Sequence, residues 1–338
     1  MLDIFNDDAF SVTNLTDAIN EISFVPGRIG QMGLFEVNSV DTTTIAIEKK
    51  GDILVLVPPT PRGGPGTTVD KEKRDLRSLI IPHFEINDAI YAEEVQNVRA
   101  FGQERALQTV IQKVAQRQRT HVNSMSATEE FARIGAVKGV VTYADGSTLN
   151  LFQEFGVTQE PEIDFDLDNA SPAGGALRKK CAGVIRQMAG ILGGIPFSGL
   201  HAFCGDAFFD DLIAHKEVRD TYMNWQAAQE LRQSYVSGGM SYGAFPFGGI
   251  MWENYRGKVG NQDFIEPDKC HIFPTGVPGL FKTVYAPADY EETVNTMGRR
   301  LYSRQYPMPN GKGRNLDVQT NALQYCTRPK TLLKGKRT

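Results

Sequence analysis

The chain has 338 residues and a mass of 37.4 kDa, enough to bury roughly three quarters of the surface its unfolded form exposes and to build two or three compact units. Its 41% hydrophobic and 22% charged residues are the composition of a folded globular protein, and a net charge of -4 argues against a chain built to neutralise nucleic-acid phosphates. No apolar run approaches the roughly 18 residues of a membrane span; Ile53–Val57 stops at Pro58. The opening residues MLDIFNDDAF are acidic where a secretory signal is basic, and Cys181, Cys204, Cys270 and Cys326 are scattered without a CxxC pair. A reducing, cytosolic setting is expected.

In chain order, Asn14–Ile22 reads as one short amphipathic helix, followed by Pro26, Gly27, Gly30 and Gly33, too many breakers for packed structure. An arm lying on another surface is the simplest picture. From Leu34 to Tyr91 the pattern is strand-like: Thr42–Glu48 alternates, Asp52–Val57 continues it, and Leu79–Ile86 returns in the same pattern. Between them Pro58–Gly66 forms neither helix nor ladder, and a charged patch spans Asp70–Asp75. This is the pattern of a long two-armed excursion. A two-stranded ribbon is marginal in water, so its apolar side chains need a surface the segment does not supply.

Leu107, Val110, Ile111, Val114, His121, Val122 and Met125 recur at helical spacing, with Lys113, Gln116, Arg117 and Arg119 opposite. Ser126–Glu129 reads as a capping box opening a second, shorter helix that Gly135 closes. Lys138–Tyr143, Asp145-Gly146 and Thr148–Phe152 form the clearest hairpin. Glu162–Asp168 alternates strictly, placing four carboxylates on one face and Ile163, Phe165 and Leu167 on the other. After Ser171-Pro172 an amphipathic helix carries Leu177, Cys181, Val184, Ile185, Met188 and Leu192 and stops at Gly193. Phe197–Cys204 reads as a strand, Asp206 as the cap of a helix with Phe209, Leu212 and Ile213, and Trp225–Tyr235 as a further helix. The rest is strands and loops ending in a basic tail, and the sum is α+β.

Few residues offer chemistry. Gly27/Gly30/Gly33, Arg62–Gly66 and Gly311–Gly313 match no phosphate loop, and turn glycines account for them. His201, Cys204, Cys270 and His271 could in principle ligate zinc, but neighbours on a strand point to opposite faces, so Cys270 and His271 do not readily share one metal. A Cys204 or Cys270 nucleophile with a His base has no flanking signature. The carboxylate face fits a half-solvated strand, with a basic partner surface or weakly held divalent cations as the functional alternative. Lys113, Arg117 and Arg119, and the tail Arg328, Lys330, Lys334, Lys336 and Arg337, fit a solvated helix face and a disordered terminus. No aromatics interleave them as nucleic-acid stacking requires, so acidic neighbours are their more natural contacts. No catalytic, cofactor-binding or metal residue is therefore assigned.

The succession of features resembles the major capsid protein E family of tailed bacteriophages, the lambda-type major head proteins, with a Hong Kong 97-like fold. The stretches that carry the resemblance are Arg74–Phe84 with Asp88–Tyr91, the hairpin at Asp145-Gly146, and Phe264–Gly276 followed by Ala286–Tyr290. It implies an N-terminal arm (1–40), an extended loop (41–98), a spine helix and hairpin of a peripheral domain (99–155), an axial domain (156–275) and a return to the peripheral domain (276–338). It further implies a non-enzymatic subunit, without cofactor, that assembles with itself into hexamers and pentamers of an icosahedral shell. Scaffold, portal and decoration proteins are the implied partners, with packaged DNA touched only non-specifically and no membrane. The implied location is the virion capsid, assembled in the host cytoplasm. A non-viral, encapsulin-like compartment shell is the alternative, and a Cys/His hydrolase a more distant one.

Overall fold

The computed structural model describes residues 27–49, 75–94, 110–169, 171–223, 243–259 and 262–338. The expected helices at Asn14–Ile22 and Trp225–Tyr235, and the loop centre from 50 to 74, lie outside these residues. The chain divides into two compact units, one of residues 1–45, 79–132 and 282–324, the other of 46–78, 133–281 and 325–338.

The elements in chain order are α1 (Arg28–Met32), β1 (Phe35–Ser39), β2 (Thr44–Lys49), β3 (Asp75–Ile80), β4 (His83–Tyr91), α2 (Val110–Lys138), β5 (Val140–Thr142), β6 (Thr148–Asn150), α3 (Leu151–Glu154) and β7 (Ile163–Asp164). They continue as α4 (Ala176–Leu192), β8 (Gly199–Cys204), α5 (Asp206–Ala214), α6 (Lys216–Met223), β9 (Ala244–Phe247), β10 (Ile250–Asn254), β11 (Lys258–Val259) and β12 (Gln262–Asp263). The last are β13 (Lys269–Thr275), β14 (Phe281–Tyr285), β15 (Tyr302–Pro307), β16 (Gly313–Cys326) and β17 (Leu333–Lys336).

In the first unit a five-stranded sheet runs β1-β14-β16-β15, with β4 also paired to β16. β16 is 14 residues long, and its first half is paired by β15 at Arg314–Gln319 and by β4 at Gly313–Asn321. Val122 and Met125 of α2 pack against Leu301 and Val318, with Phe84 and Ile86 beside them. These are the helix residues whose 3.6-residue spacing marks an inward face.

In the second unit a six-stranded sheet runs β7-β17-β13-β8-β10-β9, mixed in direction, with β10 parallel to β8 and β17 parallel to β7. One face is covered by α4, α5 and α6. Leu177, Cys181, Val184, Met188 and Leu192 meet Leu200, Ala202, Cys204, Trp252, Cys270 and Ile272 there, with Phe208, Phe209 and Leu212. The inward side of α4 is the one its sequence spacing indicates, and Gly193 ends the helix in the left-handed region at φ 61°. Its N-cap is Gly175 rather than the Ser171-Pro172 step.

Four local expectations are corrected. The capping box at Ser126–Glu129 does not form, because α2 is one helix of 29 residues, about 43 Å long. The hydroxyls of Thr120, Ser124 and Thr128 instead donate to the carbonyls four residues back, at 3.2, 3.1 and 3.0 Å, so hydroxyl residues are accommodated inside the helix. Gly135 does not stop it either: a Cβ there would stand 2.7 Å from Val141 Cα, so this glycine lets helix and hairpin approach, and the stop is Gly139 at φ 86°. In Glu162–Asp168 only Ile163–Asp164 is strand and Asp166 turns to φ 54°, yet Phe165 and Leu167 are buried as the alternation requires. The basic tail is no loose terminus: β17 pairs with β13 and buries Leu333, so the segment after residue 276 divides between the two sheets.

The hairpin forms as expected. Gly146 at φ 83° donates to Tyr143 O at 3.0 Å, and Asp145 accepts from the Ser147 N–H and hydroxyl. Leu151 and Phe152, expected to extend its second strand, open α3, which Asn150 caps through the Phe152 and Gln153 N–H groups.

Candidate functional site

The alternation of side chains along β8, β10 and β13 sorts the reactive residue types onto opposite faces of the second sheet. Cys204 and Cys270 lie on the helix-covered face. His201 and His271 lie on the other, where His201 meets Phe203 edge-on and Phe273 at a tilt, with centroids 5.0 and 5.5 Å away. His201 Nε2 is 3.0 Å from Glu253 Oε2, and Glu253 is only 1% exposed. His271 Nε2 is 3.1 Å from Glu266 Oε2, whose Oε1 meets Lys138 Nζ at 3.1 Å. The two imidazoles thus face carboxylates, and Cys204 and Cys270 face an apolar core of aliphatic and aromatic side chains.

The electrostatics agree with that division. Burial raises the Cys204 thiol well above its ordinary range, and pushes Cys181 and Cys326 up to about 12. Such thiols do not supply the thiolate a nucleophile needs. Burial also lowers His271, against the opposing pull of Glu266, so its imidazole is neutral at pH 7. Among the described residues no three His, Cys, Asp or Glu side chains converge as a metal would require.

The acidic strand and the basic tail, read as two surfaces awaiting partners, are in large part each other's partner. Glu162 Oε1 meets Lys269 Nζ at 2.8 Å and Lys334 Nζ at 3.9 Å, and Asp164 meets Lys336 Nζ at 3.1 Å. Arg337 pairs with Asp211 at 2.7 Å and Asp268 at 2.8 Å, and Lys180 of α4 lies 4.0 Å from Asp166. The basic face of α2 is engaged as well, with Lys113 and Arg117 3.6 and 3.3 Å from Glu94, and His121 3.1 Å from Asp88. Lys330 and Arg119 are exposed.

The described root of the two-stranded ribbon β2–β3 is partly shielded by its own chain. Ile45, Leu79 and Ile81 are buried, and Ile80 is the exception at 76% exposure. Arg77 of β3 donates to the carbonyls of Gln153 and Glu154 at the C-terminal end of α3, at 3.1 and 2.5 Å. The expectation of an uncovered apolar ribbon therefore fails at its root, where local hydrogen bonding and side-chain burial fix it.

The model of the phage major capsid protein E family matches residues 11–337. The chain belongs to this family. The major capsid protein of Pseudomonas phage KPP10 is 29% identical, with 97% of each chain covered. That of Salmonella phage Felix O1 is 25% identical over 96% of this chain and 95% of the relative. A crystal structure assigned as the capsid protein of a prophage of E. coli CFT073 superposes with a TM-score of 0.60 at 13% identity, covering 97% of this chain and 99% of the other. The capsid protein of Myoviridae phage XM1 gives 0.51 at 11% identity, with 94% of each chain covered. The α+β, Hong Kong 97-like fold expected from the sequence is the fold of this chain.

Within this capsid-family fold, the polar groups that organise the first unit escaped sequence reading. Glu129 is buried and accepts from Arg300 Nε at 2.9 Å and from the Tyr285 hydroxyl, while Arg300 also donates to Ser126 at 3.0 Å. The neighbouring Glu130, also buried, accepts the N–H groups of Ile29 and Gly30 at 2.8 and 3.4 Å. A Cβ at Gly27 would stand 2.2 Å from its carboxyl carbon, so any larger residue before α1 would have to displace the Glu130 side chain. From Met125 to Val137 nearly every position of α2 is buried, including Ser126, Glu129, Glu130 and Arg133. The only sequence signal was a run of charged residues without an outward periodicity.

Proposed function

We propose that this chain is the shell-forming subunit of a phage head, assembling with itself into hexamers and pentamers of an icosahedral shell around the DNA genome and carrying no catalysis. The observation that carries this reading is the family match across residues 11–337. The separation of thiols from imidazoles by the second sheet, together with raised thiol pKa values, supports a structural rather than catalytic role. A net charge of -4 suits a wall that encloses DNA without gripping it.

Within the same proposal, residues 1–40 act as an arm and 41–98 as an extended loop, both lying over neighbouring copies. Residues 99–155 form the spine helix and hairpin, 156–275 the axial domain, and 276–338 the return, with β17 contributed back to the second sheet. Wedge-shaped axial domains make head-to-tail contacts that close into rings. Scaffold, portal and decoration proteins complete the assembly, which takes place in the host cytoplasm.

Negative-stain microscopy of the expressed chain, with a scaffold supplied, tests the reading: closed particles are expected, and a persistent monomer overturns it. Removal of residues 58–70 is expected to preserve the body's circular dichroism and to impair particle formation. Nucleic acid rather than a protein cargo inside particles recovered from infected cells separates the phage head from a compartment shell.

A further inference from the structure

Three of the four cysteines sit in the core of the second unit, and two of them face each other. In the antiparallel pair β8–β13, Cys204 stands directly opposite Cys270. The Gly205 N–H donates to Lys269 O at 2.9 Å, a bond that flanks the pair instead of joining it. Cys204 and Cys270 are therefore a non-hydrogen-bonded pair, the position at which opposing Cα atoms come to about 4.5 Å and side chains approach most closely. That lies within the separation of roughly 4.4 to 6.8 Å that a disulfide spans. Both side chains point to the helix-covered face, where the Cys204 thiol donates to Ala202 O at 3.9 Å. On the other side of Cys270, β17 offers Gly335, where a Cβ would stand 2.6 Å from the Cys270 sulfur; the glycine leaves the sulfur its room.

We propose that Cys204 and Cys270 form a latent dithiol that closes to a cross-strand disulfide under two-electron oxidation by a peroxide. One thiol takes an oxygen atom from hydrogen peroxide, giving a sulfenic acid and releasing one water. The facing thiol then attacks the sulfenic sulfur; the S–S bond forms as the S–O bond breaks, and the departing hydroxide takes the second thiol proton and leaves as water. Two thiols and one peroxide give one disulfide and two waters. Hydrogen peroxide is small enough to reach a site that a bulky disulfide reagent does not. Both thiols are buried and Cys204 ionises with difficulty, so closure is slow. The same burial shields the finished bond from thiol reductants, which must attack a sulfur directly. In a shell subunit, the reading on which only the timing rests, the bond stays open in a reducing cell and closes after the particle leaves it.

Full-length protein, treated with hydrogen peroxide and then denatured and alkylated with a maleimide, tests the chemistry whether or not particles form. The free-thiol count is expected to fall from the four in the chain to two, with peptide mass spectrometry placing the link between Cys204 and Cys270. The link removes chain entropy from the unfolded state across a long loop, so the melting temperature is expected to rise by on the order of 10 °C. Cys181→Ala retains the link and Cys204→Ala abolishes it. Four thiols surviving a treatment that fully oxidises an exposed control thiol overturns the proposal, as does a link through Cys181 or Cys326, or overoxidation of Cys204 without a bond. Particle formation, scored separately by microscopy, keeps failure of the assembly reading distinct from failure of this one.

Discussion

Glu129→Ala removes the acceptor shared by Arg300 and Tyr285 in the first unit. Glu129 is buried at 7% exposure and accepts from the Arg300 guanidinium at 2.9 Å and from the Tyr285 hydroxyl. Hydrogen bonds to a charged group contribute about 1.5–3 kcal/mol each, and loss of one partner of a buried pair costs about 3–5 kcal/mol. The two bonds share one carboxylate and do not add fully, so we expect a loss of about 4 kcal/mol. For a unit of this size that lowers the melting temperature by roughly 10 °C. Glu129→Gln keeps one acceptor oxygen and is expected to lose about half as much. Urea denaturation, read as the shift in midpoint at unchanged slope, measures both. The control is Asp263→Ala, which breaks the Lys258–Asp263 pair at 3.3 Å, with both side chains half exposed; its cost is expected to stay below about 1 kcal/mol. Equal losses in Glu129→Ala and Asp263→Ala would refute the claim that burial and shared donors give this carboxylate its weight.

Three further outcomes follow from the same reasoning. Gly135→Ala sets helix propensity, worth about 1 kcal/mol in favour of alanine, against a Cβ 2.7 Å from Val141 Cα; a net loss of roughly 1–3 kcal/mol in thermal melts is expected, and stabilisation would show that the hairpin yields. At the tail, Leu333→Ala is expected to cost about 2–5 kcal/mol, whereas Lys336→Ala, which breaks a partly exposed pair with Asp164, costs less than about 1; equal values by urea denaturation contradict this ranking. His271 and His121 both have pKa values lowered chiefly by burial, so the unfolded chain takes up protons first as pH falls. Their contribution is complete above about pH 6.5 and declines below it, by up to about 1.4 kcal/mol per pH unit for each group. Stability measured between pH 7 and pH 5 should therefore drop, and His271→Gln should flatten the profile; an unchanged slope in that variant removes His271 from the account.

Local pattern was enough wherever a residue's environment follows from its own neighbours in sequence. The 3.6-residue spacing of Leu177, Cys181, Val184, Met188 and Leu192 specified the inward face of α4, since a helix has only one way to present those positions together. Period-two alternation placed Phe165 and Leu167 inside even where the strand itself lasts two residues. The turn at Asp145-Gly146 was equally legible, because φ near +83° is open to glycine at no steric cost.

Tertiary structure decided what depends on residues far apart in the chain. Ser126 and Glu129 have the spacing of a capping box, but Arg300 and Tyr285, more than 150 residues away, claim the glutamate and the helix runs on through both. Gly135 reads as a helix stop until Val141 is seen lying against it. The carboxylates of Glu162 and Asp164 and the cations of Lys334 and Lys336 looked like two surfaces, and only the pairing of β17 with β13 and β7 brings them together. Charge and hydroxyl patterns state what a side chain can bond to; which partner arrives is set by strand order and register, which no window of sequence contains.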